Sequence, residues 1–183
     1  MTSPSAYVAL VRGINVGGHK KVAMADLRAL LAGLGLAEPR SLLQSGNLVF
    51  RAVRQRGAGL ESLLEREADR RLGLRAEFFV RTAGEWGSVI AANPFREQAE
   101  ADPAHLVVMF LRSAPEPPAV RALRAAFAGP EVISAHGREL YVSYPAGIGT
   151  SRLTSALIER QLGGHATGRN WNTVLKLGQL VLG

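Results

Sequence analysis

Two short turn sequences, Ser45-Gly46-Asn47 and His136-Gly137-Arg138, each separate two short extended runs: residues 41–44 from 48–50, and 132–133 from 140–142. Gly and Asn tolerate the left-handed backbone that a tight reversal needs, so both pieces read as β-hairpins. Hairpins make each sheet mixed or antiparallel, and amphipathic helices alternate with them, so the expected class is α+β with helices on one face of each sheet.

The rest of the chain repeats one grammar twice. Residues 6–11 are a nearly continuous apolar run, a buried strand. After a loop over 13–21, Leu27, Leu30, Leu31 and Leu34 fall at helical spacing, ended by Gly33, Gly35 and Pro39. Behind the first hairpin, Leu60, Leu63, Leu64, Ala68 and Leu72 mark a second helix. Residues 76–81 read as a strand and 82–92 as a helix stopped by Asn93-Pro94. The second half offers a strand at 105–111, a helix carrying Val120, Leu123 and Phe127, and the second hairpin. A helix with Leu153, Ala156, Leu157 and Gln161 on one face follows, then a short extended piece at 165–167. The final helix shows Trp171, Val174, Leu175 and Gly178. Each half therefore reads β-α-β-β-α-β-α, and the expectation is two duplicated ferredoxin-like halves packed together: 1–95 and 104–183, joined by a linker at 96–103. A faint echo supports duplication, Arg81-Thr82-x3-Trp86-x2-Val89 against Thr167-x-Arg169-x-Trp171-x2-Val174.

At 183 residues and 47% hydrophobic the chain can bury a sizeable core. No apolar run reaches the roughly 18 residues of a membrane span, and the first residues lack a basic segment ahead of an apolar one, so no membrane association and a cytoplasmic location are expected. With no Cys there is no disulfide, thiolate ligand or cysteine nucleophile. The formal charge is +7, and 19 of the 22 cations are Arg; only Lys20, Lys21 and Lys176 are Lys. Residues 1–56 carry net +6 and residues 150–183 net +3, so positive charge gathers at the two ends of the chain, where it suits phosphate-bearing partners.

Tyr7-Val8-Ala9-Leu10-Val11-Arg12-Gly13-Ile14-Asn15-Val16-Gly17-Gly18 and Gln44-Ser45-Gly46-Asn47-Leu48-Val49-Phe50 resemble the signature of an uncharacterised bacterial family, domain-of-unknown-function family 1697. So do Gly147-Ile148-Gly149 running into Ser151-Arg152-Leu153, and the run from Arg169-Asn170-Trp171-Asn172 to Leu177. Arg152 stands where the family pattern has Lys, and Gly168 where a second Thr or Ser is common. The resemblance implies the fold just read and brings no activity with it.

Four stretches are candidate sites. In the first, Arg12, Asn15 and Gly17 belong to a glycine-containing strand-to-helix loop whose N–H groups suit phosphate, although its spacing is neither the dinucleotide nor the Walker pattern; the glycines equally serve a strained connection. The second is Gln44-Ser45-Gly46-Asn47, where Ser45 and Asn47 suit a tight turn and the stretch would also offer a hydroxyl and an amide. In the third, Thr150 or Ser151 is the natural N-cap of the following helix, which puts Arg152 in the first helical turn, where a cation opposes the helix dipole by about 0.3–1 kcal/mol unless an anion binds. In the fourth, Asn170 is an N-cap, Arg169 sits beside that helix start, Trp171 belongs to the core, and Asn172 and Lys176 share a helix face.

His19, His105, His136 and His165 are scattered without metal or catalytic spacing, so no metal, no cofactor and no catalytic residue is assigned. The expectation is a protein that binds a phosphate-bearing ligand, nucleotide or nucleic acid, in a Gly/Asn/Arg-lined cleft. The alternatives are an enzyme acting there on a phosphorylated or carboxylated metabolite, and a structural or partner-binding role in which the motifs hold the halves together. Oligomeric state is left open.

Overall fold

The computed structural model describes residues 4–18, 20–53 and 57–183. The chain is α+β, with two four-stranded antiparallel sheets and, among the described residues, seven α-helices. The elements run β1 (Ser5–Val11), α1 (Met24–Gly33), β2 (Ala37–Leu42), β3 (Asn47–Ala52), α2 (Gly57–Leu72), β4 (Phe78–Thr82), α3 (Ala83–Ala91) and α4 (Arg96–Ala101). After a single 3-10 turn at Pro103–His105 follow β5 (Leu106–Leu111), α5 (Pro117–Ala125), β6 (Val132–His136), β7 (Glu139–Ser143), α6 (Ser155–Leu162), β8 (Ala166–Asn170) and α7 (Trp171–Leu182). The chain divides into two compact units, one running to Ser88 and including Leu177–Gly183, the other Val89–Lys176. The division thus falls inside α3 and α7, and α4 fills most of the stretch read as a linker.

In the first unit the strand order is β2-β3-β1-β4. Tyr7, Ala9 and Val11 of β1 share a core with Leu48, Phe50, Phe78 and Val80, beneath Leu27 and Leu31 of α1 and Leu60 and Leu64 of α2. Tyr7 and Phe50, partners across β1 and β3, stack with ring centroids 5.6 Å apart. The alternate residues Val8, Leu10, Phe79 and Arg81 are buried as well. A sheet buried on both faces explains why β1 reads as an unbroken apolar run.

The second unit has the matching order β6-β7-β5-β8. Val107, Met109, Leu111, Leu140, Val142 and Ala166 pack with Leu123 of α5 and Ile158 of α6. Its second face is also closed: Tyr141 is fully buried and donates its hydroxyl to the Val89 carbonyl of α3 at 2.6 Å. Buried side chains thus alternate to both sides of the central strands, and where helices on one face were expected, α3 reaches the face of the second sheet opposite α5 and α6.

Edge strand β4 keeps its outward amides from solvent by taking acceptors from helices. Phe78, Val80 and Thr82 donate to Glu65, Glu61 and Glu85 at 3.0, 2.9 and 2.8 Å. In β8 the Ala166 amide donates to Glu159 at 2.9 Å. Unpaired edges invite association with other chains, and these carboxylates close them.

Local readings change at several places. The first hairpin turn is Leu43 to Gly46, so Gln44 belongs to the turn and Asn47 opens β3. Phe127 lies beyond the end of α5. The α6 helix starts at Ser155 with Thr154 as N-cap, its hydroxyl accepting from Leu157 at 3.2 Å; neither Thr150 nor Ser151 caps it, and Arg152 is outside its first turn. Leu175 is 38% exposed, because the buried stripe of α7 runs through Trp171, Val174, Leu177 and Val181. The tryptophan echo is misaligned by one helical turn. Register sets Val8 opposite Arg81 and Val108 opposite Arg169, which equates Arg81 with Arg169 and leaves Trp171 three residues ahead of the position matching Trp86.

Candidate functional site

The first-half candidates gather at the C-terminal end of β1, where Leu10 pairs with Asn47. Arg12 follows the strand, is about one-third exposed, and approaches Glu77 at 3.8 Å. Asn15 adopts φ 55°, a conformation Asn tolerates better than most residues, and its side chain closes the loop. Its Nδ2 donates to the Val22 carbonyl at 3.0 Å and the Gln44 carbonyl at 2.7 Å, while its Oδ1 accepts from the Val22 amide at 2.9 Å. Gly17 (φ 58°) and Gly18 (φ 79°) lie exposed between.

The hairpin turn is built against this loop. Gly46 has φ 74°, and a Cβ there would lie 2.7 Å from Val11 Cβ and 2.8 Å from Ile14 Cδ1, so no other residue fits. Its carbonyl accepts from the Val11 amide at 2.8 Å. Asn47 is fully buried and donates to the Leu42 carbonyl at 2.9 Å and the Ser45 hydroxyl at 3.0 Å. The two motifs most characteristic of the sequence thus lock into one another, and Asn15 and Asn47 serve the backbone.

The groups left facing outward are Lys21 and Gln44. An open pocket of about 460 Å³ is lined by Asn15, Lys21, Val22, Ala23 and Gln44. Neither the Lys21 ammonium nor the Gln44 side-chain amide bonds a described residue, whereas Lys20 donates its Nζ to the Arg75 carbonyl at 2.6 Å. The pocket adjoins the start of α1, whose N-cap is Ala23, a side chain unable to cap. Sequence reasoning passed over Lys21 and took Gln44 only as part of the turn stretch. The available signal was the Lys20-Lys21 pair, two of only three lysines in an arginine-rich chain.

A neighbouring cavity of about 350 Å³ is lined by Arg12, Lys20 and Arg75 together with Glu65, Asp69 and Glu77. Its cations and carboxylates balance, and Arg75 pairs with Asp69 at 3.5 Å, so it carries no excess of positive charge.

The second-half candidates lie at the other end of their sheet. Asn170 pairs with Val107 near the start of β5, whereas the first-half set lies past the end of β1, the corresponding strand. The two sets thus lie at opposite ends of their respective sheets. Ser151 donates to Glu131 at 2.5 Å and accepts from the Leu153 amide at 3.0 Å. Asn170 caps α7 by accepting from the Thr173 amide at 3.0 Å. Arg169 is buried within β8 and donates through one Nη to the Thr167 hydroxyl and the Gly168 carbonyl, each at 2.8 Å; burial pushes its pKa down to about 10. Arg152, Asn172 and Lys176 are exposed, the last two on one face of α7. Among the described residues no three His, Asp or Glu side chains group as a metal would need, and no helix is long and apolar enough to cross a membrane.

Residues 5–141 match a family model described as a protein of unknown function, DUF1697, and the chain belongs to that family. The later motifs, around Ser151 and Arg169, lie beyond the matched span. The fold is similar to that of the conserved bacterial protein SP0830 from Streptococcus pneumoniae, with a TM-score of 0.71 at 24% identity over 99% of this chain and 100% of that one. No curated protein matches the sequence.

Proposed function

We propose that the protein binds a phosphate-bearing ligand, a nucleotide or nucleic acid, in the pocket between the 13–21 loop and the 43–46 turn. One observation carries the reading: Lys21 and Gln44, whose side chains bond no described residue, line a pocket whose other polar side chain, Asn15, is fully engaged in holding it open. A cation and an amide on an apolar wall suit an anionic head group with a less polar body. The uncapped start of α1 adds backbone donors of the right sign. Arg12 lies on the neighbouring cavity's rim and Gly17 within the loop, and both enter the reading as supports of its shape. A cytoplasmic location goes with it, since nucleotides and nucleic acids abound there.

A structural reading fits the second-half motifs better. Ser151, Arg169 and Asn170 all bond neighbouring protein groups, which leaves Arg152, Asn172 and Lys176 as the exposed polar groups there. We also infer that the two halves are duplicated ferredoxin-like units. Matching strand order, Arg81 and Arg169 at one register position, and edge amides of Phe78 and Ala166 bonded by helix carboxylates all support it.

Fluorescence anisotropy with labelled nucleotides and oligonucleotides, across a salt series and with folded Lys21→Met alongside, tests the ligand reading. Binding that weakens with salt and falls at least tenfold in the variant supports it; equal affinity for both proteins removes the pocket from the account.

A further inference from the structure

We infer that the occupant of the Lys21–Gln44 pocket is a nucleoside monophosphate and not a polynucleotide. The inference rests on the pocket reading above and narrows it to one ligand class.

The count of available cations comes first. Among the described residues lining the pocket, Lys21 is the one cation, and its ammonium bonds no described residue. Lys20 beside it is already tied to the Arg75 carbonyl at 2.6 Å, and the charges of the adjoining cavity balance one another. A polynucleotide is held by several cations spaced along its backbone. One uncommitted ammonium matches one phosphate group.

The identity of the cation points the same way. This chain uses Arg nineteen times and Lys three times, yet Lys stands at the pocket. Guanidinium is the fork that grips phosphate with two parallel bonds, whereas ammonium is a compact point charge on a mobile stem. A point charge meets a small terminal phosphate without imposing a plane on it.

The remaining lining describes the body of the ligand. About 460 Å³ lies within the range of roughly 300–1,000 Å³ typical of small-molecule sites. Val22 and Ala23 form an apolar wall, and the Gln44 side chain, bonded to no described residue, offers one carbonyl acceptor and two N–H donors. Donor and acceptor side by side match the hydrogen-bonding edge of a nucleobase. A sugar phosphate would put hydroxyls, which need hydrogen-bond partners, against the apolar Val22 and Ala23. A base linked through ribose to a single phosphate uses all three features.

Isothermal titration calorimetry of the full chain with AMP, UMP, adenosine, ribose 5-phosphate and a single-stranded oligonucleotide tests this, repeated on Lys21→Met and Gln44→Ala. Both variants alter exposed side chains, and circular dichroism verifies their folding. The expected result is that AMP or UMP binds at least tenfold tighter than adenosine and ribose 5-phosphate. Lys21→Met then removes the advantage over adenosine, and Gln44→Ala the advantage over ribose 5-phosphate. If the oligonucleotide binds in a Lys21-dependent way and the monophosphates do not, this inference fails while the pocket reading stands. Ribose 5-phosphate binding as tightly as AMP likewise overturns it and leaves the pocket in place. If no phosphate-bearing probe binds, or binding ignores Lys21, both fall.

Discussion

The side-chain amide of Asn15 donates to the backbone carbonyl of Gln44 at 2.7 Å, joining two loops that are 29 residues apart in sequence. That bond holds the strand-to-helix loop against the hairpin turn. Asn15 does this from a left-handed conformation, with its remaining donor and its acceptor on Val22. The pocket exists because one side chain satisfies three backbone groups.

Asn15→Ala therefore removes three hydrogen bonds and places Ala at φ 55°. At about 1 kcal/mol net for each bond, plus roughly 1 kcal/mol for the left-handed backbone, the expected loss is about 3–4 kcal/mol. Urea denaturation measures it. A loss below 1 kcal/mol means that these bonds do not hold the loop.

Gly46 and Gly18 both have positive φ, but they differ in their surroundings. A Cβ on Gly46 would overlap Val11 and Ile14, whereas one on Gly18 meets nothing within 4 Å. Gly18→Ala should cost about 1 kcal/mol, from backbone conformation alone. Gly46→Ala should cost about 1–3 kcal/mol more, the range that overpacking adds. Equal destabilisation of the two variants would contradict the close packing of turn on loop.

The architecture was legible in the sequence because its signals are local and redundant. Leucines at helical spacing gave α1 and α2, and the turn residues gave both hairpins. The tryptophan echo misled because a matched pair of large residues was weighed above strand register, which alone equates Arg81 with Arg169. The site was less legible for a different reason. Asn, Ser and Gly that can hold a ligand can equally hold a backbone, and nothing at Asn15, Asn47 or Ser151 tells the two uses apart before the hydrogen bonds are seen. Lys21 was passed over, and Gln44 read only with its turn, because an exposed Lys or Gln looks like any solvated surface residue until two loops are seen to bring them to one pocket.

Acid should act through Glu67. Hydrogen bonds from Arg70 lower its pKa from 4.5 to about 2, burial opposes them, and Arg71 adds to the lowering. A folded-state pKa below the unfolded one stabilises the fold above about pH 4.5, and that contribution is lost as pH falls towards 2. Glu67→Gln should then be less stable than wild type at pH 6, with the gap much narrower at pH 2.5. Urea midpoints at the two pH values check this, and a gap that stays constant would contradict it.

Alkali should act through Tyr144. Burial, and then the charge of Glu131, push its pKa from 10 up to about 12, and burial raises Tyr141 as well. A raised folded pKa on a phenol stabilises the fold below pH 10, and the contribution disappears as pH climbs through 12. Titration followed by phenolate absorbance should show late ionisation of Tyr141 and Tyr144, with one late step lost in Tyr144→Phe. Ionisation of Tyr141 and Tyr144 near pH 10 in the folded protein would be inconsistent with the burial of these hydroxyls.

The central claim concerns where a phosphate-bearing ligand sits, and backbone amide NMR shifts locate it directly. On titration with AMP and, separately, with a short single-stranded oligonucleotide, the account predicts shifts concentrated at residues 13–25 and 43–46 for the ligand that binds. The side-chain amide of Gln44 should move with them, and the pattern should be absent in Lys21→Met. Shifts confined to other surfaces, or no shifts with either ligand, would contradict it.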